Sequence, residues 1–147
     1  MNKAVEFINQ HLNEEVKNSP SAFANWLGGK IIKAEAGHVI MQFDVRNDMT
    51  NPVMTLHGGV AAGIIDEVIG LTVFTVEHQY FFMTVNLHVN YFTKVNTGDV
   101  ITADCTVVKD GKKIIHARCD LRNADGKTMV TGAADLLRTD KKIGFDF

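Results

Sequence analysis

The chain has 147 residues, 46% of them hydrophobic, and a formal net charge of -2 at pH 7. This length suits a single domain over residues 1–147, the small net charge excludes a basic surface for nucleic acid, and charged residues interrupt the longest apolar stretch, which excludes a membrane span. Because the N-terminus also lacks a signal-type apolar segment, we expect a cytoplasmic protein with neither a nucleic-acid partner nor a membrane partner.

The N-terminal region contains two short segments with helical periodicity. They run from about residue 3 to 12 and from 21 to 27, and a Ser-Pro-Ser sequence between them is typical of a helix stop followed by a new N-cap. Two strand candidates follow, at residues 30–36 and 38–46. We therefore expect a short helical segment over about 1–27, followed by the first strands of a sheet.

The stretch from Val60 to Val76 is apolar on nearly all sides, apart from Asp66, Glu67 and two threonines. This pattern is typical of a buried central helix rather than an amphipathic surface helix. A buried carboxylate is costly without partners, and perturbed carboxylates in clefts are candidate catalytic groups, although structural ion pairs produce the same sequence pattern. Asp66 and Glu67 are therefore the first candidates for chemistry.

Asp66 shares one face of this predicted helix with small residues. The face consists of Gly59, Ala62, Gly63, Asp66 and Gly70, which are spaced by whole helical turns. A glycine inside a helix costs roughly 1 kcal/mol relative to alanine, so this face favours a close approach by something else. Close packing of another element and approach of a thin ligand are equally compatible with the spacing.

The glycine pair Gly58-Gly59 lies at the start of the same helix. The first N–H groups of a helix have no internal partners and lie at the positive end of its dipole, so they can bind an anion or a polarised carbonyl oxygen. The adjacent His57 could be a catalytic base, but we favour a simple hydrogen bond to the loop. Asp66 lies roughly 10 to 12 Å further along the axis. Either a ligand spans that gap, or a second copy of the helix supplies the other half of the site.

Four long strand candidates follow the helix. They are residues 81–94, 99–109, 112–123 and 127–138. With the two earlier candidates they predict an α+β fold, in which one long helix covers a mostly antiparallel six-stranded sheet. The remaining residues, 139–147, are expected to form a loose tail.

The strand candidate at 81–94 has two different faces. Alternate residues from Phe81 through Met83 and Val85 to Tyr91 are expected to pack on the helix. The other set begins at Phe82 and is half polar and half aromatic, which favours a subunit interface, with an ordinary solvated sheet face as the alternative.

The two cysteines are expected to be unbonded. A three-residue hairpin loop that ends at Gly111, in the left-handed conformation, pairs Cys105 with Ile115. Cys119 then lies four residues further along, or about 13 Å away. This register predicts reduced core cysteines in a reducing compartment and no metal site.

Several motifs in this order resemble one known family. They are Asn51-x-x-x-Thr55-Leu56-His57-Gly58-Gly59, an aspartate nine residues after His57, the strand sequence at 83–92, and Asp-Gly-Lys turns at 110–112 and 125–127. Over roughly residues 30 to 138, the chain resembles the PaaI-like acyl-CoA thioesterases of the hotdog-fold superfamily.

The resemblance implies a hotdog fold and an enzyme that hydrolyses an acyl-CoA thioester to a free acid and CoA. It implies that Asp66 acts as nucleophile or general base and that the Gly58 N–H polarises the thioester carbonyl. Asn51 would help to orient the attacking or bound group, and Thr84 would lie beside the attacking water. In that family each site takes its glycine from one subunit and its aspartate from the other. A homodimer is therefore implied, with a homotetramer, as a dimer of dimers, also open.

Further residues are candidates for substrate binding. They are His57 and Gly59 at the helix start, Glu67 beside Asp66, and the basic residues Lys109, Lys112, Lys113 and Arg122, which could bind the CoA phosphates although a solvated hairpin is the simpler interpretation. Glu67 stands where many relatives have an uncharged residue. We expect no cofactor and no metal, with water as the co-substrate. The alternatives are a hydratase or dehydratase on the same fold, and a non-catalytic acyl-CoA-binding module.

Overall fold

A computed structural model describes residues 1–144, and within them the chain forms three α-helices and six β-strands. The helices are α1 (Lys3–Asn9), α2 (Ala22–Leu27) and α3 (Gly58–Phe74). The strands are β1 (Lys30–Glu35), β2 (His38–Asp44), β3 (Tyr80–Tyr91), β4 (Val100–Asp110), β5 (Ile114–Arg122) and β6 (Thr128–Lys142). None of the described helices is long and apolar enough to cross a membrane.

The strands form one antiparallel sheet in the order β1-β2-β4-β5-β6-β3. This arrangement confirms the predicted α+β class, with one long helix on a six-stranded sheet. The order leaves β1 and β3 as the two edge strands, so one side of the twelve-residue β3 has no neighbour among residues 1–144.

Helix α3 forms the centre of the hydrophobic core, as its apolar composition predicts. Its buried residues include Ile64, Ile65, Val68 and Ile69, which are fully covered by the inward side chains of the sheet. Burial of each side chain of this size stabilises the fold by roughly 1.5–3 kcal/mol relative to exposure. The core therefore fixes how α3 is rotated on the sheet, and with it the side chains of α3 that face β3.

The predicted faces of β3 are wrong in its first half. Met83 and Val85 are about half exposed, whereas Phe82 is buried and Thr84 faces α3. The cause is a β-bulge at Val85, because Thr84 and Asn86 pair with consecutive residues of β6. An extra residue changes the side-chain alternation by one position. After the bulge the expected alternation holds.

The residues of β3 before the bulge depart from the predicted faces, and those after it agree with them. Leu87 and Val89 pack against the core as predicted, while Phe81 is 48% exposed and does not.

The opposite face of the sheet is polar: Asn86 exchanges two hydrogen bonds with Asp135, which also bonds His116 at 2.7 Å. Hydrogen bonds from Asn86 and His116 lower the pKa of Asp135.

The β4–β5 hairpin turns later than predicted. Its strands continue to an Asp110–Ile115 pair, and the turn consists of residues 111–113. Gly111 does not adopt the predicted left-handed conformation. A glycine is needed there for a different reason, because a Cβ at this position would collide with the carbonyl oxygen of Ile114.

This register corrects the prediction for the cysteines. Cys105 pairs directly with Cys119 across the two strands, and the two sulfur atoms form a disulfide bond. The predicted separation of about 13 Å was wrong because it rested on the earlier turn and did not include the bulge at Val108. Both cysteines are fully buried on the face toward α3.

The two ends of the chain are attached to this core. Residues 139–142, expected in a loose tail, belong to β6. Lys142 pairs with Tyr80 at the start of β3, and the Thr139 hydroxyl donates to the Phe81 carbonyl at 2.7 Å. Phe145 and Phe147 lie outside the described residues. At the other end, the Asn2 side chain donates to the Thr75 carbonyl at 2.7 Å, which ties α1 to the end of α3. The predicted N-terminal helices are present, although α1 ends earlier than expected.

Candidate active site

Asp66 lies on α3 where this helix faces the first half of β3. Its Oδ1 atom accepts a hydrogen bond of 2.8 Å from the hydroxyl of Thr84. The bulge at Val85 makes this contact possible, because it turns Thr84 toward the helix. Within residues 1–144 the Oδ2 atom of Asp66 has no hydrogen-bond partner. The carboxylate is therefore held in one orientation with one oxygen free to react.

Asp66 and Thr84 lie in a groove of about 500 Å³. This volume is typical of small-molecule sites. The groove runs between the second half of α3 and the first half of β3. Its apolar lining comprises Leu71, Val73, Phe74, Phe81, Phe82, Met83, Leu136 and Ile143. The arrangement presents a reactive carboxylate to an apolar channel.

Glu67 lines the same groove as Asp66, so both carboxylates can meet a ligand. Their surroundings differ. Burial raises the pKa of Glu67, the Ser21 hydroxyl opposes that rise, and the negative charge of Asp66 adds to it. Thr84 bonds Asp66 and not Glu67. The hydrogen bond from Thr84 therefore fixes the orientation of Asp66. Glu67 differs from it in that burial disfavours its charged form.

The raised pKa of Glu67 has a testable effect on stability. Between the pKa of an unfolded glutamate, near 4.5, and the higher value in the fold, the native state binds more protons, so stability falls as pH rises. We expect Glu67→Gln, which keeps an acceptor for Ser21, to remove this loss. The melting temperature at pH 8 should rise by about 2–4 °C. This corresponds to a gain in the free energy of unfolding of at most about 1 kcal/mol, because water screens the half-exposed carboxylate.

At pH 4 the same variant should melt close to the wild type, because both side chains are then uncharged. Glu35→Gln is the matched control, since Glu35 is an exposed residue outside the groove. Melting curves that show Glu67→Gln to be destabilised at every pH would contradict this interpretation.

The start of α3 provides a free backbone donor. Within residues 1–144 the Gly58 N–H has no acceptor, whereas the Gly59 N–H donates to Nδ1 of His57 at 2.9 Å. His57 is therefore the N-cap of α3, in agreement with the simple hydrogen bond favoured above. Only the first glycine of the pair keeps an N–H available for a carbonyl oxygen.

Tyr91 completes this end of the helix. Its hydroxyl donates to the carbonyl oxygen of Gly58, and a Cβ at Gly58 would lie 3.4 Å from the hydroxyl oxygen. Strand alternation predicts that Tyr91 faces the helix, but the sequence contains no signal for this particular hydrogen bond. The Tyr91 side chain fixes the position of the helix start relative to the end of β3.

Asn51 organises the loop that leads into α3. Its Oδ1 atom accepts from the backbone N–H groups of Val53 and Thr55, both at 3.1 Å, and its amide donates to the Thr55 hydroxyl at 2.8 Å. This is an Asx-type turn, in which a side chain replaces a backbone acceptor. One amide hydrogen of Asn51 is left for a ligand.

A single protomer does not bring the two groups of site residues together. Gly58 and Asp66 are eight residues apart, or about 12 Å along α3. Their partners on β3, Tyr91 and Thr84, lie roughly 20 Å apart along the strand. The chain thus separates two half-sites: Gly58 and Tyr91 at the start of α3 and the end of β3, and Asp66 and Thr84 near the middle of the same helix and strand.

Two glycines on the small-residue face of α3 have different surroundings. One fits close packing of another element, and the other fits the approach of a ligand. A Cβ at Gly63 would lie 2.6 Å from the Phe23 ring, so this glycine allows α2 to pack closely on α3. A Cβ at Gly70 would meet no atom within 4 Å, and Gly70 lines the groove. Close packing explains Gly63 but not Gly70.

The basic residues do not form one cluster. Lys109, Lys112 and Lys113 are exposed around the β4–β5 turn. Arg122 lies at the other end of β5, about 30 Å away, where it bonds Asp104 and Asp120 at 2.7 and 2.8 Å. The predicted grouping of Arg122 with the lysines is therefore wrong, because β5 runs away from the turn.

Comparison with known proteins identifies the family of this chain. Residues 54–130 match the thioesterase superfamily. The chain belongs to this superfamily. It is 30% identical over 129 residues to human acyl-coenzyme A thioesterase 13, an alignment that covers 85% of this chain and 92% of the human protein.

Two solved structures share the fold. The Escherichia coli PaaI protein of the phenylacetic acid degradation operon aligns with a TM-score of 0.78 and 21% identity, covering 85% of this chain and 89% of PaaI. The smu.793 protein of Streptococcus mutans UA159, solved with bound acetyl CoA, aligns with a TM-score of 0.73 and 22% identity, covering 78% of this chain and 91% of that protein. The resemblance to PaaI-like hotdog thioesterases is thereby confirmed.

Proposed function

We propose that this thioesterase hydrolyses an acyl-CoA to a free carboxylic acid and CoA. The observation that carries the proposal is the carboxylate of Asp66, held by Thr84 at the head of an apolar groove of about 500 Å³. The name of the human relative and the acetyl CoA bound by the S. mutans protein support CoA thioesters as the substrate class.

Asp66 can act in two ways. As a general base it takes a proton from water, whose oxygen forms a bond to the acyl carbon while the carbon–sulfur bond breaks. As a nucleophile it forms an anhydride with the acyl group, which water then hydrolyses. In both cases the electron pair of the broken bond leaves on the CoA sulfur, and the proton from water neutralises the thiolate. Thr84 holds the carboxylate throughout, and the reaction requires neither a metal nor a further cofactor.

The Gly58 N–H supplies the second element of the mechanism. Negative charge develops on the thioester oxygen as the acyl carbon becomes tetrahedral, and a backbone N–H at a helix start stabilises that charge. Asn51, with its remaining amide hydrogen, lies in the loop before this helix and would orient the bound or attacking group. Because Gly58 and Asp66 of one chain are about 12 Å apart, we propose that each site combines residues of two protomers.

The edge strand β3 is the surface that we propose for this pairing. It is twelve residues long, its outer edge is unpaired within residues 1–144, and Phe81, Met83 and Val85 are about half exposed on it. A long apolar strand edge is a ready template for another strand. Two copies related by a two-fold axis would join antiparallel and continue the sheet.

The two half-sites determine the register of this pairing. Thr84 holds Asp66, and Tyr91 holds Gly58. If Thr84 lies opposite the partner's Tyr91, then Asp66 faces the partner's Gly58, and symmetry brings the second pair together in the same way. Because the bulge at Val85 adds one residue to each strand, Leu87 then lies opposite the partner's Val89, and the two-fold axis passes between His88 and the partner's His88. A dimer of dimers would leave this register unchanged.

Some of the other candidate residues keep a proposed role. His57 caps α3 and therefore shapes the Gly58 donor, whereas the Gly59 N–H is already used. Lys109, Lys112 and Lys113 are proposed contacts for the CoA phosphates. Arg122 is left out, because two aspartates neutralise it. A cytoplasmic location is also proposed, although it no longer has support from reduced cysteines, and cell fractionation would test it.

Release of free thiol from a panel of acyl-CoA thioesters tests the proposed activity. The expected result is one equivalent of CoA thiol for each equivalent of acid. Saturable binding without thiol release would show a binding module instead. Loss of an enoyl thioester without free thiol would show a hydratase.

Subunit complementation tests the shared site. Asp66→Asn and Asn51→Ala proteins, each inactive alone, are mixed under conditions that allow verified subunit exchange. Half of the dimers are then mixed, and each of these keeps one intact site, so about a quarter of wild-type activity should return. A mixture that stays inactive, or a wild type that is an active monomer by sedimentation, would show that the two half-sites do not combine.

A further inference from the structure

Gly70 occupies the groove wall one helical turn beyond Asp66. The two residues are four positions apart on α3, or about 6 Å along the axis. Gly70 is exposed and lines the groove, and a Cβ there would meet no atom within 4 Å. A side chain added at this position would therefore take up space at the groove wall.

The backbone does not require a glycine at this position. Gly70 lies inside an α-helix and has no left-handed φ, so alanine would suit the backbone better. The close contact that explains Gly63 is also absent, because no atom lies near the missing Cβ. What the glycine provides is width in the groove.

The two walls of the groove have the same length. On α3 it extends from Asp66 to Phe74, which is about 12 Å. On β3 it extends from Thr84 back to Tyr80, which is about 13 Å. Its far end is formed by His78, whose ring lies 4.9 Å from that of Phe82. Beyond the reacting groups the space is thus a channel about 12 Å long, open in the middle at Gly70.

We propose that Gly70 determines acyl specificity, by leaving room for an uncharged, extended, medium-length acyl chain that runs along α3 from Asp66 toward Phe74. This inference rests on the proposed thioesterase function. The apolar lining favours a hydrocarbon chain, and the carboxylate of Glu67, which also lines the groove, disfavours acyl groups that carry a second negative charge. Each buried methylene should improve binding about fourfold until the channel is filled.

Replacement of Gly70 by leucine provides the test. For the wild type, kcat/KM should be at least about tenfold higher with octanoyl-CoA than with acetyl-CoA. Gly70→Leu should remove this preference, because it should lower kcat/KM for octanoyl-CoA much more than for acetyl-CoA, and it should not lower the melting temperature. Gly70→Ala should give an intermediate preference. Ala124→Leu, which adds a leucine in the exposed β5–β6 turn, is the matched control and should keep the wild-type preference.

Octanoate binding, measured by calorimetry, separates this inference from the proposed function. If the wild type binds octanoate more tightly than Gly70→Leu does but hydrolyses no thioester, the role of Gly70 holds and the thioesterase proposal fails. If thioesters are hydrolysed and the variant keeps the octanoyl preference, the role of Gly70 is overturned and the thioesterase proposal stands. A loss of acetyl-CoA and octanoyl-CoA hydrolysis to the same extent would also overturn the role of Gly70.

Discussion

Asp66→Asn should lower kcat for acyl-CoA hydrolysis by at least about 10²-fold and leave the fold intact. Loss of a positioned general base typically costs 10²–10⁴-fold, and an amide can act neither as a base nor as a nucleophile at this position. Asparagine has nearly the same volume, and its carbonyl oxygen can still accept the hydrogen bond from Thr84. Steady-state kinetics and a melting curve on the same preparation measure the two effects.

Glu67→Gln is the matched control, because it changes the adjacent carboxylate of the same groove in the same way. It should keep kcat within about tenfold of the wild type, well short of the loss expected for a catalytic base. If Asp66→Asn is active and Glu67→Gln is inactive, the two carboxylates have exchanged roles. If both variants are active, the chemistry does not depend on this pair, and the proposed mechanism is wrong.

Reduction of the Cys105–Cys119 disulfide should lower the free energy of unfolding by about 3 kcal/mol. The bond joins residues 14 positions apart, and closing a loop of this size restricts the unfolded chain by about that amount in the chain-entropy account. Urea unfolding of the wild type, with and without dithiothreitol, measures the difference. Because the sulfur atoms are fully buried, the reductant must be present throughout the unfolding transition.

The double variant Cys105→Ala, Cys119→Ala provides the control, since dithiothreitol should not affect its unfolding. Thiol titration of the oxidised protein in denaturant gives an independent count and should detect no free thiol. Two free thiols, in protein isolated without reductant, would contradict the disulfide and would restore the predicted reducing compartment.

Local periodicity predicted the helix, the number of strands and the position of Asp66. These features depend on patterns a few residues long, and such patterns are visible in the sequence. The apolar residues around Asp66 define the buried side of α3, so the side available for the site follows from helical geometry. The free Gly58 N–H follows from the same geometry, because the first N–H of a helix has no internal acceptor.

Two of the wrong predictions, the faces of β3 and the separation of the cysteines, depend on single extra residues. A bulge at Val85 turns Thr84 toward Asp66, and a bulge at Val108 with a later turn brings Cys105 opposite Cys119. A bulge adds one residue without changing composition or hydrophobicity, so no periodic pattern marks it. The hydrogen bond from Tyr91 to Gly58 depends in turn on where β3 passes the helix, and local spacing contains no information about that position.

Strand β6 and the residue that follows it complete the groove. Ile143 and Leu136 line it, and residues 139–142 hold the start of β3 in place. Helix α3, which carries Asp66, precedes β6 by more than fifty residues in the chain. During synthesis the helix therefore leaves the ribosome well before the strand that covers its apolar surface, and the binding site cannot form until that strand has emerged.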